Sequence, residues 1–156
     1  MDLTRAIEDN RILIVRYLLI KGVNVNKQDE DGYTPLMIAA REGNLEIVKM
    51  LAFAGAEINK INNLGGTALN IAVVQERVEI TKFLLSMGAR PNMENFYGNN
   101  ALTLAVIQEN IPIIKILLEY RYFPDQIENL FSKLQRTSST ILNLIREYQK
   151  CQIMIQ

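Results

Sequence analysis

The chain has 156 residues, 49% of them apolar, with 17 basic and 17 acidic side chains, one cysteine and no histidine. That length and apolar share exclude a disordered chain and suit a single domain with a substantial core, while the balanced charge argues against binding that rests on phosphate neutralisation. Without histidine there is no Ser-His-Asp triad, Cys-His pair or histidine-ligated metal, and one cysteine excludes an internal disulfide or a cysteine cluster for zinc or iron–sulfur.

The first residues carry no secretory pattern, because Met1–Asp9 mixes acids with Arg5 and the apolar stretch Ile12–Ile20 is broken by Arg16. The longest apolar runs, such as Leu36–Ala40 and Met50–Ala56, fall far short of the ~18 residues a membrane span needs. A cytoplasmic, soluble protein is expected, with unconventional secretion still compatible.

Sliding the sequence by 33 positions aligns it with itself. Leu3-Thr-Arg-Ala6 falls over Leu36-Met-Ile-Ala39, Leu69-Asn-Ile-Ala72 and Leu102-Thr-Leu-Ala105. Ile14, Ile47, Ile80 and Ile113 share a column, as do Leu18, Leu51, Leu84 and Leu117. Three further columns are Gly32, Gly65, Gly98; Gly22, Gly55, Gly88; and Asn26, Asn59, Asn92.

The second unit shows the local logic. Asp31-Gly32 is a turn signal. Thr34 is placed to cap a helix and Pro35 to occupy its first position, where a missing N–H costs nothing. Leu36, Ala39 and Ala40 form a narrow apolar stripe, and Gly43 ends the helix in the left-handed region. Asn44 caps a second helix with the stripe Leu45, Ile47, Val48, Leu51 and Ala52, which Gly55 ends. Ala56–Asn59 then leads, extended, into the next turn.

This unit of turn, short helix, tight turn, second helix and loop resembles the ankyrin repeat. The resemblance rests on residues 31–51 (DGYTPLMIAAREGNLEIVKML) and 55–59 (GAEIN), and it extends from residue 1 to about 125. It implies an all-α repeat solenoid: an N-terminal capping repeat at 1–27, repeats at 28–60, 61–93 and 94–125, and a degenerate helical cap at 126–156. Arg5 stands where later repeats have Ile38, Ile71 and Leu104, as a polar outer face requires. At the other end, Asp125 is expected to cap a helix carrying Ile127, Leu130, Phe131 and Leu134. A second stripe of Ile141, Leu144, Ile145 and Tyr148 follows, continuing through Cys151 and Ile155, with Cys151 as a small buried hydrophobe.

Two departures from the family pattern carry expectations. The family's histidine, which the resemblance assigns to hydrogen bonds between repeats, is replaced by Met37, Asn70 and Thr103. Asn70 or Thr103 is expected to replace some of those bonds, and Met37 none. The Gly43 column reads Asn10, Glu76 and Glu109 elsewhere. A side chain in the left-handed region costs roughly 1–2 kcal/mol, so the third and fourth repeats are expected to be locally less stable than the second.

Candidate chemistry is sparse. Asp29, Glu30 and Asp31 form the densest acidic cluster, but Asp beside Gly is expected at a turn for backbone reasons. Gly65-Gly66-Thr67 lacks the Gly-Lys-Ser/Thr of a phosphate loop. Met50 fits the second-helix stripe, and Tyr120, Tyr122 and Phe123 are expected to pack on the terminal helices. Only residues 126–156 carry excess positive charge, through Lys133, Arg136, Arg146 and Lys150, read as a solvated helix face. No catalytic residue, metal site or cofactor is expected, nor a nucleic-acid or membrane partner, and the chain is expected to be a monomer.

The resemblance implies a partner-binding surface on the turn tips and the exposed side of each first helix. By register these positions are Glu30, Asp31, Tyr33, Arg41 and Glu42; then Asn63, Leu64, Gly66, Val74 and Gln75; then Phe96, Tyr97, Asn99, Ile107 and Gln108. The second repeat presents charge there. The third and fourth present Leu64, Val74, Phe96, Tyr97 and Ile107, an apolar set that marks interaction sites. The expected function is non-catalytic protein recognition, as an adaptor or an occluding inhibitor. The alternatives are a secreted bacterial or viral effector engaging a host protein, and a regulator acting through the C-terminal helices.

Overall fold

The computed structural model describes residues 1–120 and 138–153, with side chains to residue 151. Four helix pairs follow one another: α1 (Leu3–Glu8) and α2 (Ile12–Ile20), α3 (Pro35–Glu42) and α4 (Leu45–Phe53), α5 (Ala68–Val74) and α6 (Val78–Ser86), α7 (Ala101–Ile107) and α8 (Ile111–Glu119). A longer helix, α9 (Ser139–Ile153), comes last, and the described residues contain no strand. The first helices α1, α3, α5 and α7 pack side by side in one row; the second helices α2, α4, α6 and α8 form a row behind them. The helix expected after Asp125 lies outside the described residues.

Each first helix begins where the sequence places a cap. The Thr34, Thr67 and Asn100 side-chain oxygens accept from the amides of Met37, Asn70 and Thr103. Asn44 and Asn110 cap α4 and α8 in the same way. Gly43 ends α3 at φ +83°, and its column mates Asn10, Glu76 and Glu109 adopt φ of 53°, 55° and 55°. Three side chains therefore occupy the left-handed region that glycine holds once.

One core runs the length of the array. Ala6, Ala39, Ala72 and Ala105 are fully buried in a single column, where the small side chain lets first helices approach closely. Ile47 and Leu51, Ile80 and Leu84, Ile113 and Leu117 are buried behind them. Their first-repeat counterparts Ile14 and Leu18 are only partly buried, and Arg5 points to solvent and pairs with Asp9 at 3.1 Å. Met50 packs on the core from its edge.

The helix α9 packs on α8, burying Ile141 and Ile145 with Leu144 and Tyr148 alongside. Cys151 departs from expectation: it is exposed. At 3.6 residues per turn it lies about 120° around the helix from Ile145, whereas Tyr148 lies about 60° away. The stripe has therefore rotated off the array before Cys151. Tyr120 is also exposed rather than packed away, and Tyr122, Phe123 and Ile155 lie outside the described residues.

Repeats are joined by asparagines, not by the substituted histidine column. Asn26 donates to the Gly55 carbonyl (3.1 Å) and accepts from the Glu57 amide (2.8 Å). Asn59 repeats this one unit on, with Gly88 (3.0 Å) and Arg90 (2.8 Å). By contrast, Asn70 and Thr103 bond to the caps of their own helices, Thr67 and Asn100, so the expected replacement of inter-repeat bonds is not found among the described residues. The Met37 sulfur accepts from the Thr34 amide at 3.4 Å and likewise stays within its repeat.

Candidate recognition surface

Three turns of one design project from the array. In the first, the Asp29 carboxylate accepts from the amides of Asp31 (3.1 Å) and Tyr33 (2.7 Å). Asn62 does the same for Leu64 and Gly66, and Asn95 for Tyr97 and Asn99. Asp29 is thus engaged in holding its turn, and no group of three or more acidic or thiol side chains suited to a metal occurs among the described residues.

The tips also hydrogen-bond to one another. The Asn63 amide donates to the Asp31 carbonyl and the Phe96 amide to the Leu64 carbonyl, both at 3.0 Å. Glycine is needed behind each contact. A Cβ on Gly32 would stand 2.6 Å from the Asn63 Oδ1, and one on Gly65 would stand 2.8 Å from the Phe96 ring. Both positions also have positive φ.

The surface expected from the sequence divides along the array. On the second repeat Arg41 is engaged by Glu42 (2.9 Å) and by Glu8 of the first repeat (3.5 Å), and its guanidinium lies 5.8 Å from the centre of the Tyr33 ring. Glu30 and Asp31 are exposed at the tip. On the third and fourth repeats Leu64 is 50% exposed, Val74 42%, Phe96 72%, Tyr97 72% and Ile107 59%. Burying such side chains fully is worth ~1.5–3 kcal/mol each; here they face solvent.

A cavity of about 200 Å³ opens on this face. Tyr33, Arg41, Leu64, Val74, Gln75 and Tyr97 are brought together around it, with Ile71 and Leu104 from the first helices and Asn70 beneath. Glu30, Asp31, Glu42, Asn63, Phe96, Asn99, Ile107 and Gln108 do not line it. Two of these serve the scaffold: the Asn63 amide group donates to the Glu30 carbonyl (2.9 Å), and Gln108 donates to the Val74 carbonyl (2.7 Å).

The opposite face carries exposed apolar side chains that the sequence reading passed over. Leu13, Tyr17, Ile20 and Phe53 lie open on the second helices, with Phe83 edge-on to Phe53 at 6.1 Å and Lys49 above Phe83. Part of the signal was available in the register, where Ile20 and Phe53 share one column and Tyr17 shares another with the partly buried Met50, Phe83 and Ile116.

Stacked helix pairs with projecting, mutually bonded turns define a helical repeat solenoid. Two family models match: "Ankyrin repeats (many copies)" over residues 3–52 and "Ankyrin repeats (3 copies)" over residues 55–128. The chain belongs to the ankyrin-repeat family, whose members are protein–protein interaction modules. It is similar to an ankyrin repeat protein of fowlpox virus, with 50% identity over 45 residues, 29% of this chain and 32% of the relative. The match thus spans about a third of that viral protein. No helix among the described residues is long and apolar enough to cross a membrane.

Proposed function

We propose that this chain is a non-catalytic recognition module that binds another protein through its turn tips and first helices, as an adaptor or an occluding inhibitor. The observation that carries this reading is the apolar set of the third and fourth repeats, with Leu64, Val74 and Tyr97 gathered at one cavity and Phe96 and Ile107 exposed beside them. Exposed apolar surface of this kind is retained where a partner covers it, and aromatic side chains concentrate binding energy. The charged second repeat would then set orientation and encounter rate more than affinity.

The experiment is affinity capture with mass spectrometry, comparing wild type with the double variant Phe96→Ala/Tyr97→Ala. A partner retained by the wild type should be lost or weakened at least tenfold by the variant, with helical content unchanged. Equal affinity for both proteins, each correctly folded, would remove the basis of the reading. The fowlpox relative favours a second reading, in which the chain acts in a viral setting and its partner is a host protein. Capture from extracts of uninfected and infected host cells separates that case: a host protein retained from both supports it, and a partner retained only from infected cells does not.

A further inference from the structure

The two helices of the first repeat end the array differently. In the second repeat, which the first repeat covers, Met37 and Ile38 on α3 and Ile47 and Leu51 on α4 are all buried. The same four columns are more open in the first repeat, and they differ in kind. On α1 they hold Thr4 and Arg5, and Arg5 pairs with Asp9 at 3.1 Å. On α2 they hold Ile14 and Leu18, only partly covered, with Leu13, Tyr17 and Ile20 exposed next to them. At 3.6 residues per turn, Leu13, Tyr17 and Ile20 fall within about 60° of one another on the helix. The α1 half of this face is thus polar and the α2 half apolar.

The form of what covers such a face is repeated within the molecule. The helices α4, α6 and α8 each receive one helix of the preceding repeat, α2, α4 and α6 respectively. An aromatic ring takes part: Phe83, in the column of Tyr17, meets Phe53 of the preceding repeat edge-on at 6.1 Å. The open side of α2 continues this helix-on-helix interface and is one helix wide. A whole further repeat would also have to bury the Arg5–Asp9 pair, and desolvating two charges is costly.

The charge around the apolar stripe is of one sign. Residues 11–21 hold three cations, Arg11, Arg16 and Lys21, and no acid. By helical angle Arg16 borders the apolar sector on one side and Arg11 on the other. Lys21 stands at its C-terminal end, 5.5 Å from the centre of the Tyr17 ring. Of the three, only Arg16 has an acidic neighbour among the described residues, Glu46 at 3.4 Å, and both of those side chains are more than half exposed. A second copy of the chain is a poor occupant, because a two-fold interface sets one patch against itself and would bring these cations together. Three cations also fall short of the cluster of about four to eight that marks an anionic lipid surface.

We propose that the open face of α2 is a second docking site, apart from the turn tips, and that its occupant is an acidic amphipathic helix of a partner protein. That helix lies alongside α2, with its apolar side on Leu13, Tyr17 and Ile20 and its carboxylates toward Arg11, Arg16 and Lys21.

The probe is a stapled helical peptide of about 15 residues, with leucine at every third or fourth position, glutamate on both borders of that stripe and alanine elsewhere. It is titrated into the ¹⁵N-labelled full chain. Saturable shifts are expected at Leu13, Tyr17 and Ile20, with a dissociation constant on the order of 0.1–1 mM that rises with salt. The same peptide with lysine in place of glutamate should bind at least about tenfold more weakly. Leu13→Ala/Ile20→Ala alters exposed side chains outside the core and should weaken binding about fivefold or more. Arg11→Gln/Lys21→Gln leaves the apolar stripe intact and should weaken it about threefold to tenfold. Phe96→Ala/Tyr97→Ala, on the turn tips, should leave the peptide's affinity unchanged.

Absence of saturable shifts on α2, equal binding of the glutamate and lysine peptides, or unchanged affinity in Leu13→Ala/Ile20→Ala overturns the proposal. Two further results also overturn it. One is sedimentation of the chain with phosphatidylserine vesicles that the acidic peptide does not reverse, which assigns the face to a lipid surface. The other is a concentration-dependent dimer that Leu13→Ala/Ile20→Ala abolishes, which assigns it to a second copy.

Discussion

Replacing Asn59 by alanine removes a two-bond clip between the second and third repeats. The side chain donates to the Gly88 carbonyl at 3.0 Å and accepts from the Arg90 amide at 2.8 Å. A net hydrogen bond contributes about 0.5–1.5 kcal/mol. Gly88 and Arg90 are both exposed, so water replaces part of each bond, and Asn59→Ala should cost about 1–2 kcal/mol in all. Asn59→Asp separates the halves, since it keeps an oxygen for the Arg90 amide and loses the donor to Gly88. Its cost should lie near that of alanine, since the retained Arg90 bond is offset by a carboxylate oxygen facing the Gly88 carbonyl. Urea unfolding followed by circular dichroism gives the totals, and amide exchange at Arg90 gives the location. Arg90 should lose protection in Asn59→Ala and keep it in Asn59→Asp. If Asn59→Ala unfolds within about 0.3 kcal/mol of wild type and Arg90 stays protected, the asparagine column does not join the repeats.

Glu76→Gly and Glu109→Gly relieve left-handed side chains at φ 55°, and each should stabilise the protein by about 0.5–1 kcal/mol after the entropy of glycine is deducted. In the unaltered protein, native-state exchange should show less protection in α5–α8 than in α3–α4; equal protection throughout would contradict that strain argument. Gly65→Ala should destabilise more than Gly88→Ala, measured by urea midpoint. Both glycines have positive φ, but a Cβ meets the Phe96 ring only at Gly65 and open space at Gly88. Ile145→Ala should cost about 2–4 kcal/mol if α9 closes the core as its burial indicates, and a change under 1 kcal/mol would show that helix to be dispensable to the array.

Much of the architecture was readable because it depends on local chemistry repeated at a fixed period. Thr34 and Asn44 cap their helices, Gly43 turns left-handed, and Asn10, Glu76 and Glu109 follow it into the same conformation. The joining of repeats was less legible. The Asn26 and Asn59 column stood out in the alignment, but its partners lie 29 and 31 residues further on, and no local pattern announces a bond over that separation. Cys151 was misplaced because spacing from one neighbour, Tyr148, was taken as membership of the stripe; the angle from Ile145 decides instead. For the surface, the register located the exposed apolar side chains of the third and fourth repeats. It did not reveal that Asn70 leaves a donor beneath them, since that depends on what a shorter side chain fails to reach.

The bonded tips have a consequence for how such a protein changes over generations. The Asn63 and Phe96 amides, with Gly32 and Gly65 behind them, set the pitch from one tip to the next through main-chain atoms. The exposed side chains at positions such as Leu64 and Tyr97 take no part in setting it. Geometry and chemistry are thus inherited separately. A substitution at an exposed position such as Leu64 or Tyr97 rewrites one character of the surface without touching the bonds between tips, and a new specificity can be assembled one residue at a time on spacing that stays constant.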